Sequence, residues 1–278
     1  MPNNKITLTQ VAKQLGVSRS SLYYIPKRPK LDEEIKAQIE SVLSHHPGYG
    51  HKRIAMDLKL NKKRILRVMK QFSIKPYRRR VKKVGNKEKT DFVPERINVT
   101  KILCPIVSGI VWVSDFTYIK YQSKFIYLAT IMDMFTREIV GWNISRYHNQ
   151  DLVLGALRDT LQRNGNKPPQ YLHSDQGSEY AAEEYSKLAE ELGITLSFSD
   201  KSSPWQNGFQ ESFFSNFKVD LGDPNRFEDL AEVIESIHLA INYYNTQRIH
   251  TKLKMTPHAF RELQDKTRSD IVSKIKGT

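Results

Sequence analysis

The sequence predicts an α/β protein in which a mixed sheet with flanking helices is preceded by small all-α modules. Two observations carry that expectation. Beyond Ile110, three β-branched and aromatic runs follow one another with short polar breaks, then give way to alternating helical and strand patterns. Before residue 90, apolar residues recur at helical spacing among many basic ones. A length of 278 residues favours two units, one of them able to bury a sizeable core.

In TLTQVAKQLGVSRSSLYY, Leu8, Val11, Ala12 and Leu15 follow helical spacing, Gly16 supplies a turn, and Ser18 caps a second helix carrying Leu22 and Tyr23. This reads as a helix-turn-helix presenting Ser18, Arg19 and Ser20 to a DNA groove, with a plain helical hairpin as the alternative. After a loop at 25–30, Ile35, Ile39, Val42 and Leu43 share one face of a helix that stops near His46-Pro47-Gly48. Two shorter helices follow, at 54–58 and through Ile65, Leu66, Met69 and Phe72. The second carries Lys62, Lys63, Arg64 and Arg67 away from its apolar stripe. With Lys52 and Arg53 before it and Arg78, Arg79 and Arg80 after it, these are candidate phosphate contacts.

The segment 75–89 is charged, contains Pro76 and Gly85, and lacks apolar periodicity, as a linker does. VWVSDFTYIKY, KFIYLATIMDMF and REIVGWNIS then read as consecutive antiparallel strands. DLVLGALRDTLQRNG reads as a helix, PPQYLHSD as a strand, AAEEYSKLAEELG as a helix and ITLSFSD as a strand. That order is compatible with an RNase H-like fold. The expected domains are a helix-turn-helix at 1–30, a second helical DNA-binding module with its basic linker at 31–90, a linker at 91–108, the RNase H-like core at 109–222 and a C-terminal helical extension at 223–278.

Charge is distributed unevenly. Residues 1–90 hold 23 Lys and Arg against 6 Asp and Glu, whereas the remainder holds 21 against 24, so the whole net charge of +14 arises in the first third. Such a concentration attracts polyanions, nucleic acid first among them, unless it is only a solvated basic surface. The single Cys104 excludes an intrachain disulfide framework and any Cys-paired zinc site, so His45, His46 and His51 do not read as a zinc centre. No apolar run is long enough to cross a bilayer and the N-terminus lacks a secretory segment, so the expected location is the cytoplasm.

Three acids stand out against the strand reading. Asp115 lies inside the first apolar strand, Asp175 follows the end of YLHS, and Glu211 opens a helix. A strand acid is paired, solvated or holding a cation, and ligands of α/β sheets collect at strand carboxyl ends. Converging carboxylates suit hard divalent ions, two of which can activate the attacking oxygen and stabilise the leaving oxygen of a phosphodiester. Singly, each acid also has an ordinary structural reading: an edge-strand charge, an Asx turn and a helix first-turn acid.

WVSDFTYI, LHSDQGSEY and SPWQNGFQESFF resemble, in order, the three catalytic blocks of the integrase-core transposases of bacterial insertion sequences, in the retroviral integrase superfamily. The 35 residues between Asp175 and Glu211 equal that family's D-35-E interval. LGVSRSSLYY, HPGYGHKRI, MDMFTREIVGW and NYYNTQRIHTKLKMTP extend the resemblance over nearly the whole chain. The resemblance implies that Asp115, Asp175 and Glu211 are catalytic and bind two Mg²⁺ or Mn²⁺ ions, Asp115 bridging both. It implies cleavage of double-stranded DNA at element ends followed by attack of the freed 3′-hydroxyl on target DNA. It also implies a homodimer or higher assembly at the nucleoid, and in some relatives an upstream-encoded DNA-binding partner protein.

Glu179 stands where the family often has Gln, Gln206 where Asp is common, Gly208 where Ala is common and Ile249 where Pro is common. Asp133 reads as a turn residue, Asp200 and Asp223 as loop acids, and His173 as a support for the strand end. The loop 199–208, with Trp205 at its centre, is expected to be mobile until DNA orders it. Two other readings stand beside it: a DNA-binding regulator whose core serves only assembly, in which the three acids are incidental, and a metal-dependent nuclease that uses the same residues to cut without joining.

Overall fold

A computed structural model describes residues 7–23, 28–78, 98–200 and 207–276. Arg79, Arg80 and, within the loop 199–208, Trp205 and Gln206 lie outside the described residues. The sheet forms as the patterning predicts. β1 (Val111–Tyr121), β2 (Lys124–Asp133) and β3 (Ile139–Ser145) pair antiparallel in succession. β4 (Tyr171–Ser174) and β5 (Thr195–Phe198) extend the other edge in parallel, giving the order β3-β2-β1-β4-β5. The helices α6 (Gln150–Arg163) and α7 (Glu183–Glu191) make the crossovers that parallel pairing requires.

Strand alternation sorts the core into two layers. Ala129 and Ile131 face Leu152, Ala156 and Leu157 of α6, whereas Leu128 and Met132 face α8 (Gly208–Leu221) and α9 (Leu230–Thr246) through Phe213, Phe217 and Ile237. At Gly141 of β3, a Cβ would fall 2.6 Å from Thr160 Cα on α6, so only glycine allows this approach. Gly141→Ala is therefore expected to cost about 3 kcal/mol, the upper range for an overpacked core, and urea denaturation would measure it. Asp133 closes the β2–β3 turn by accepting the N–H groups of Phe135 at 3.0 Å and Thr136 at 2.8 Å, as its reading as a turn residue anticipates.

Ahead of the sheet lie α1 (Leu8–Gln14), α2 (Arg28–His45), α3 (His51–Asp57) and α4 (Lys62–Gln71). Ile35, Ile39, Ile54, Ile65 and Val68 form the core shared by α2, α3 and α4. The expected second helix of the helix-turn-helix is instead a 3-10 turn, Arg19–Tyr23, with no buried residue. Ser18 Oγ lies 2.8 Å from both Ser20 Oγ and Ser21 Oγ and accepts the Ser21 N–H at 3.2 Å, so serine hydroxyls compete for the bonds a helix would make.

Two further findings differ from the sequence reading. Within the expected linker 91–108, α5 (Val99–Ile102) packs Val99 against Val111, Val113 and Met134, and the Val99 N–H donates to Ser197 Oγ at 2.9 Å. The α2–α4 module, expected as a separate unit, docks on the end of α9 and the segment after it. The Ile249 N–H donates to Tyr49 Oη at 2.7 Å, Arg53 Nε donates to the Ile249 carbonyl at 2.9 Å, and His46 Nδ1 lies 2.6 Å from Tyr243 Oη. The last helix, α10, spans Pro257–Lys276. No helix among the described residues is long and apolar enough to cross a membrane.

Candidate active site

β1 and β4 run parallel with Val113 opposite His173, so Asp115 and Asp175, each two residues further on, emerge side by side where β4 ends. Asp175 Oδ1 accepts the Gly177 N–H at 3.0 Å, an Asx turn that fixes the loop, and Asp115 Oδ1 accepts the Phe116 N–H at 2.8 Å. Both carboxylates act on the Tyr180 hydroxyl, which lies 3.0 Å from Ser114 Oγ. Burial first, and then these two charges, hold that phenol well above its ordinary pKa, so it stays neutral beneath the acids.

Glu211 sits exposed in the first turn of α8, and its neighbour Gln210 anchors that turn. Gln210 is fully buried. Its Nε2 donates to the Val113 carbonyl at 2.6 Å, and its Oε1 accepts from Thr130 Oγ1 at 3.1 Å. The carboxamide thereby ties Glu211 to the stretch of β1 that carries Asp115. Sequence reading missed Gln210, although the signal was present: it occupies the apolar stripe with Phe213, Phe214 and Phe217, where a polar residue must find partners.

Among the described residues, no three His, Cys, Asp or Glu side chains stand close enough to hold one ion. The residue types suit a hard divalent cation: Asp115 on β1 and Asp175 just past the end of β4 would offer carboxylate oxygens, and Glu211 a third from a helix whose first turn is tied to β1. Glu179 lies close to this pair: a Cβ at Gly177 would fall 2.8 Å from its Oε2 and 3.1 Å from Asp175 Oδ1. Its Oε1 meets His148 Nε2 at 3.0 Å, and the His148 ring rests on Phe116 with centroids 4.6 Å apart.

His173 fits its reading as a support, with Nδ1 2.8 Å from Ser197 Oγ inside the sheet. Burial lowers its pKa from 6.5 to about 4. His250 is likewise lowered from 6.5 to about 4, by burial first and then by Arg137, Arg53, Lys252 and Arg248. Both imidazoles are neutral in the fold at pH 7. Between 6.5 and about 4 the unfolded chain takes up protons that the fold excludes, so stability present above 6.5 is lost across that window as pH falls. The melting temperature is expected to drop over that range, and His250→Gln to flatten part of the slope.

The candidate DNA contacts divide. Ser18, Arg19, Ser20, Lys52, Lys62, Lys63 and Arg78 are exposed, and Arg64 is half-buried. Arg67 is committed elsewhere, forking onto the buried Asp32 at 2.5 and 2.6 Å, and Arg53 holds the Ile249 carbonyl. These two basic residues follow the spacing of a phosphate face, but the fold has given them partners of its own.

A sheet ordered 3-2-1-4-5, with acids at the middle of β1, the end of β4 and the start of a covering helix, defines an RNase H-like core of the integrase type. The Integrase core domain family matches residues 108–204, and a second family of that description matches residues 192–257. The transposase for insertion sequence element IS904 of Lactococcus lactis is 32% identical over 238 residues, which cover 82% of this chain and 93% of that protein. The insertion element IS600 31 kDa protein of Shigella sonnei is 31% identical over 264 residues, covering 89% and 96%. A chain of the simian T-cell lymphotropic virus intasome in complex with PP2A regulatory subunit B56 gamma shares the fold, with a TM-score of 0.51 at 14% identity over 80% of this chain and 74% of that one. The chain belongs to the integrase-core transposases of insertion sequences.

Proposed function

We propose that this transposase cuts and joins the DNA ends of its own element, with Asp115, Asp175 and Glu211 as the catalytic acids. The observation that carries this reading is the β1–β4 register, which sets Asp115 beside Asp175 above a neutral tyrosine. Two Mg²⁺ or Mn²⁺ ions held by the three carboxylates would activate the attacking water or 3′-hydroxyl and stabilise the departing oxygen. Tyr180 and Ser114 floor the site without adding charge, the Asx turn at Asp175 orients that carboxylate, and Gln210 fixes the height of Glu211 over the sheet. No side-chain nucleophile is required.

The reading assigns residues 1–90 to gripping double-stranded DNA and residues 109–278 to the core with its extension. The acting form is a homodimer or larger assembly that pairs two ends in the bacterial cytoplasm, at the nucleoid, with or without an upstream-encoded partner. A strand-transfer assay with Mg²⁺ and the element's terminal sequences, run with and without that partner, tests it. Joined products support the reading, nicked ends alone reduce the protein to a nuclease, and no cleavage under any condition removes the catalytic assignment.

The exposed Lys52, Lys62, Lys63 and Arg78 make binding steeply salt-dependent under this reading. A Lys62→Gln/Lys63→Gln double variant is expected to lower the slope of log K against log salt by about 0.9 for each phosphate that the variant no longer neutralises. Fluorescence anisotropy across a salt series would measure the change, and an unchanged slope would clear this face of DNA.

A further inference from the structure

We propose that the cavity between α3, the β2–β3 turn, the start of α8 and the segment 248–252 binds one backbone phosphodiester of the DNA on which the protein acts. It encloses about 110 Å³, which admits a group of a few heavy atoms. Arg53, Arg137, Arg248, His250 and Lys252 line it. The neighbouring acids are already engaged. Asp220 accepts Arg248 Nη1 at 2.6 and 2.7 Å, and Asp133 accepts backbone N–H groups of its own turn and of Gly109.

Three buried nitrogens at this cavity have no hydrogen-bond partner among the described residues: Arg137 Nη1, Arg248 Nε and His250 Nδ1. Arg137 is only 8% exposed and Arg248 only 2%, so any partner for these groups must sit within the cavity rather than in bulk solvent. A buried donor left unsatisfied costs about 1–3 kcal/mol, more when charged, so an acceptor seated in the cavity would be favoured. The Arg137 guanidinium is also held in place, lying 3.7 Å above the Phe209 ring centroid. Its backbone has φ 64°, the left-handed bend by which the turn carries this side chain toward α8. Burial first, and then the same four cations, hold the His250 imidazole neutral down to about pH 4. A single oxyanion would offset these positive charges and accept from the free Arg137 and Arg248 N–H groups, and from His250 Nδ1 in the tautomer that carries its proton there.

The cavity's location points to DNA. Phe209 and Ser212, in its wall, flank Glu211 on α8, Arg53 comes from the basic helical module, and Lys252 stands exposed at the rim. A phosphate seated there would lie where the docked helical module, the start of α8 and the sheet meet. This inference rests on the reading of the chain as a DNA-acting transposase.

The test is equilibrium binding of the full chain to a duplex carrying its element's terminal sequence, without metal, so that cleavage plays no part. Arg137→Gln is expected to weaken binding by roughly tenfold, the loss of one charge-assisted hydrogen bond, and to lower the salt slope by about one. Lys252→Gln, at the exposed rim, should reduce the slope without altering the fold. Neutral methylphosphonates, placed one at a time along the duplex, then locate the contact: at one position the unmodified protein loses affinity and Arg137→Gln loses no more. Losses that add at every position would overturn the proposal. An Arg137-dependent rise in melting temperature with inorganic phosphate, alongside unchanged DNA binding in Arg137→Gln, would assign the cavity to a free anion and overturn it as well. A duplex that fails to bind even the unmodified protein would remove the DNA reading and the pocket with it, whereas binding that ignores Arg137 and Lys252 would remove the pocket alone.

Discussion

Asp115→Asn, Asp175→Asn and Glu211→Gln are each expected to cut DNA cleavage and joining by about a thousandfold or more, the scale lost when a charge-stabilising group leaves such a site. Amides keep the size of the side chain and remove the charge that draws a divalent ion. The two aspartates accept backbone N–H groups that an amide oxygen can still accept, and Glu211 is exposed, so the melting temperature should change little. Strand-transfer rates in Mg²⁺, measured beside thermal melts, check both halves. A Glu211→Gln protein that joined ends at the unmodified rate would exclude that residue from the triad.

Arg248→Met is expected to destabilise the protein by about 3–5 kcal/mol, the cost of leaving a buried partner charge uncompensated. Arg248 and Asp220 have side chains only 2% and 6% exposed, joined through Nη1, while Arg248 Nη2 reaches Asn216 Oδ1 at 2.7 Å. The pair links α8 to the segment on which the helical module docks, so the loss should be felt in both units. Asp220→Asn alone should cost a similar amount. Combined with Arg248→Met it should cost less than the two singles together, because the second change removes the charge stranded by the first. Chemical denaturation of the four proteins measures this coupling, and strict additivity would show that the two groups act independently.

The sheet was legible in the sequence because strand alternation and turn residues are local. β1, β2, β3, the crossover helices and the acids at Asp115 and Asp175 all follow from runs of about a dozen residues. Asp133 and His173 were likewise placed by their immediate neighbours. What escaped depended on pairings between distant segments. Gln210 draws its role from carbonyls 80 and 97 residues away, and Tyr49 meets Ile249 across 200 residues. Arg53 and Arg67 look alike in a basic helical text, yet one is bound to a carbonyl far along the chain and the other to Asp32. The second helix of the expected helix-turn-helix failed for a local reason, since the serines at 18, 20 and 21 supply bonding partners that helical spacing does not register.

The clasp of Tyr49 and Arg53 around Ile249 has a consequence for how the molecule is made. A ribosome adds roughly 5–20 residues per second, and domains fold as they emerge. The helices α2 to α4 appear early and can close on their own small core, but the surface that receives them is translated some 200 residues later. The module thus emerges with its docking face unfilled and completes its packing only near the end of synthesis. A chain broken off before residue 249 would lack that seat, so a nascent or truncated copy cannot dock its helical module on the core.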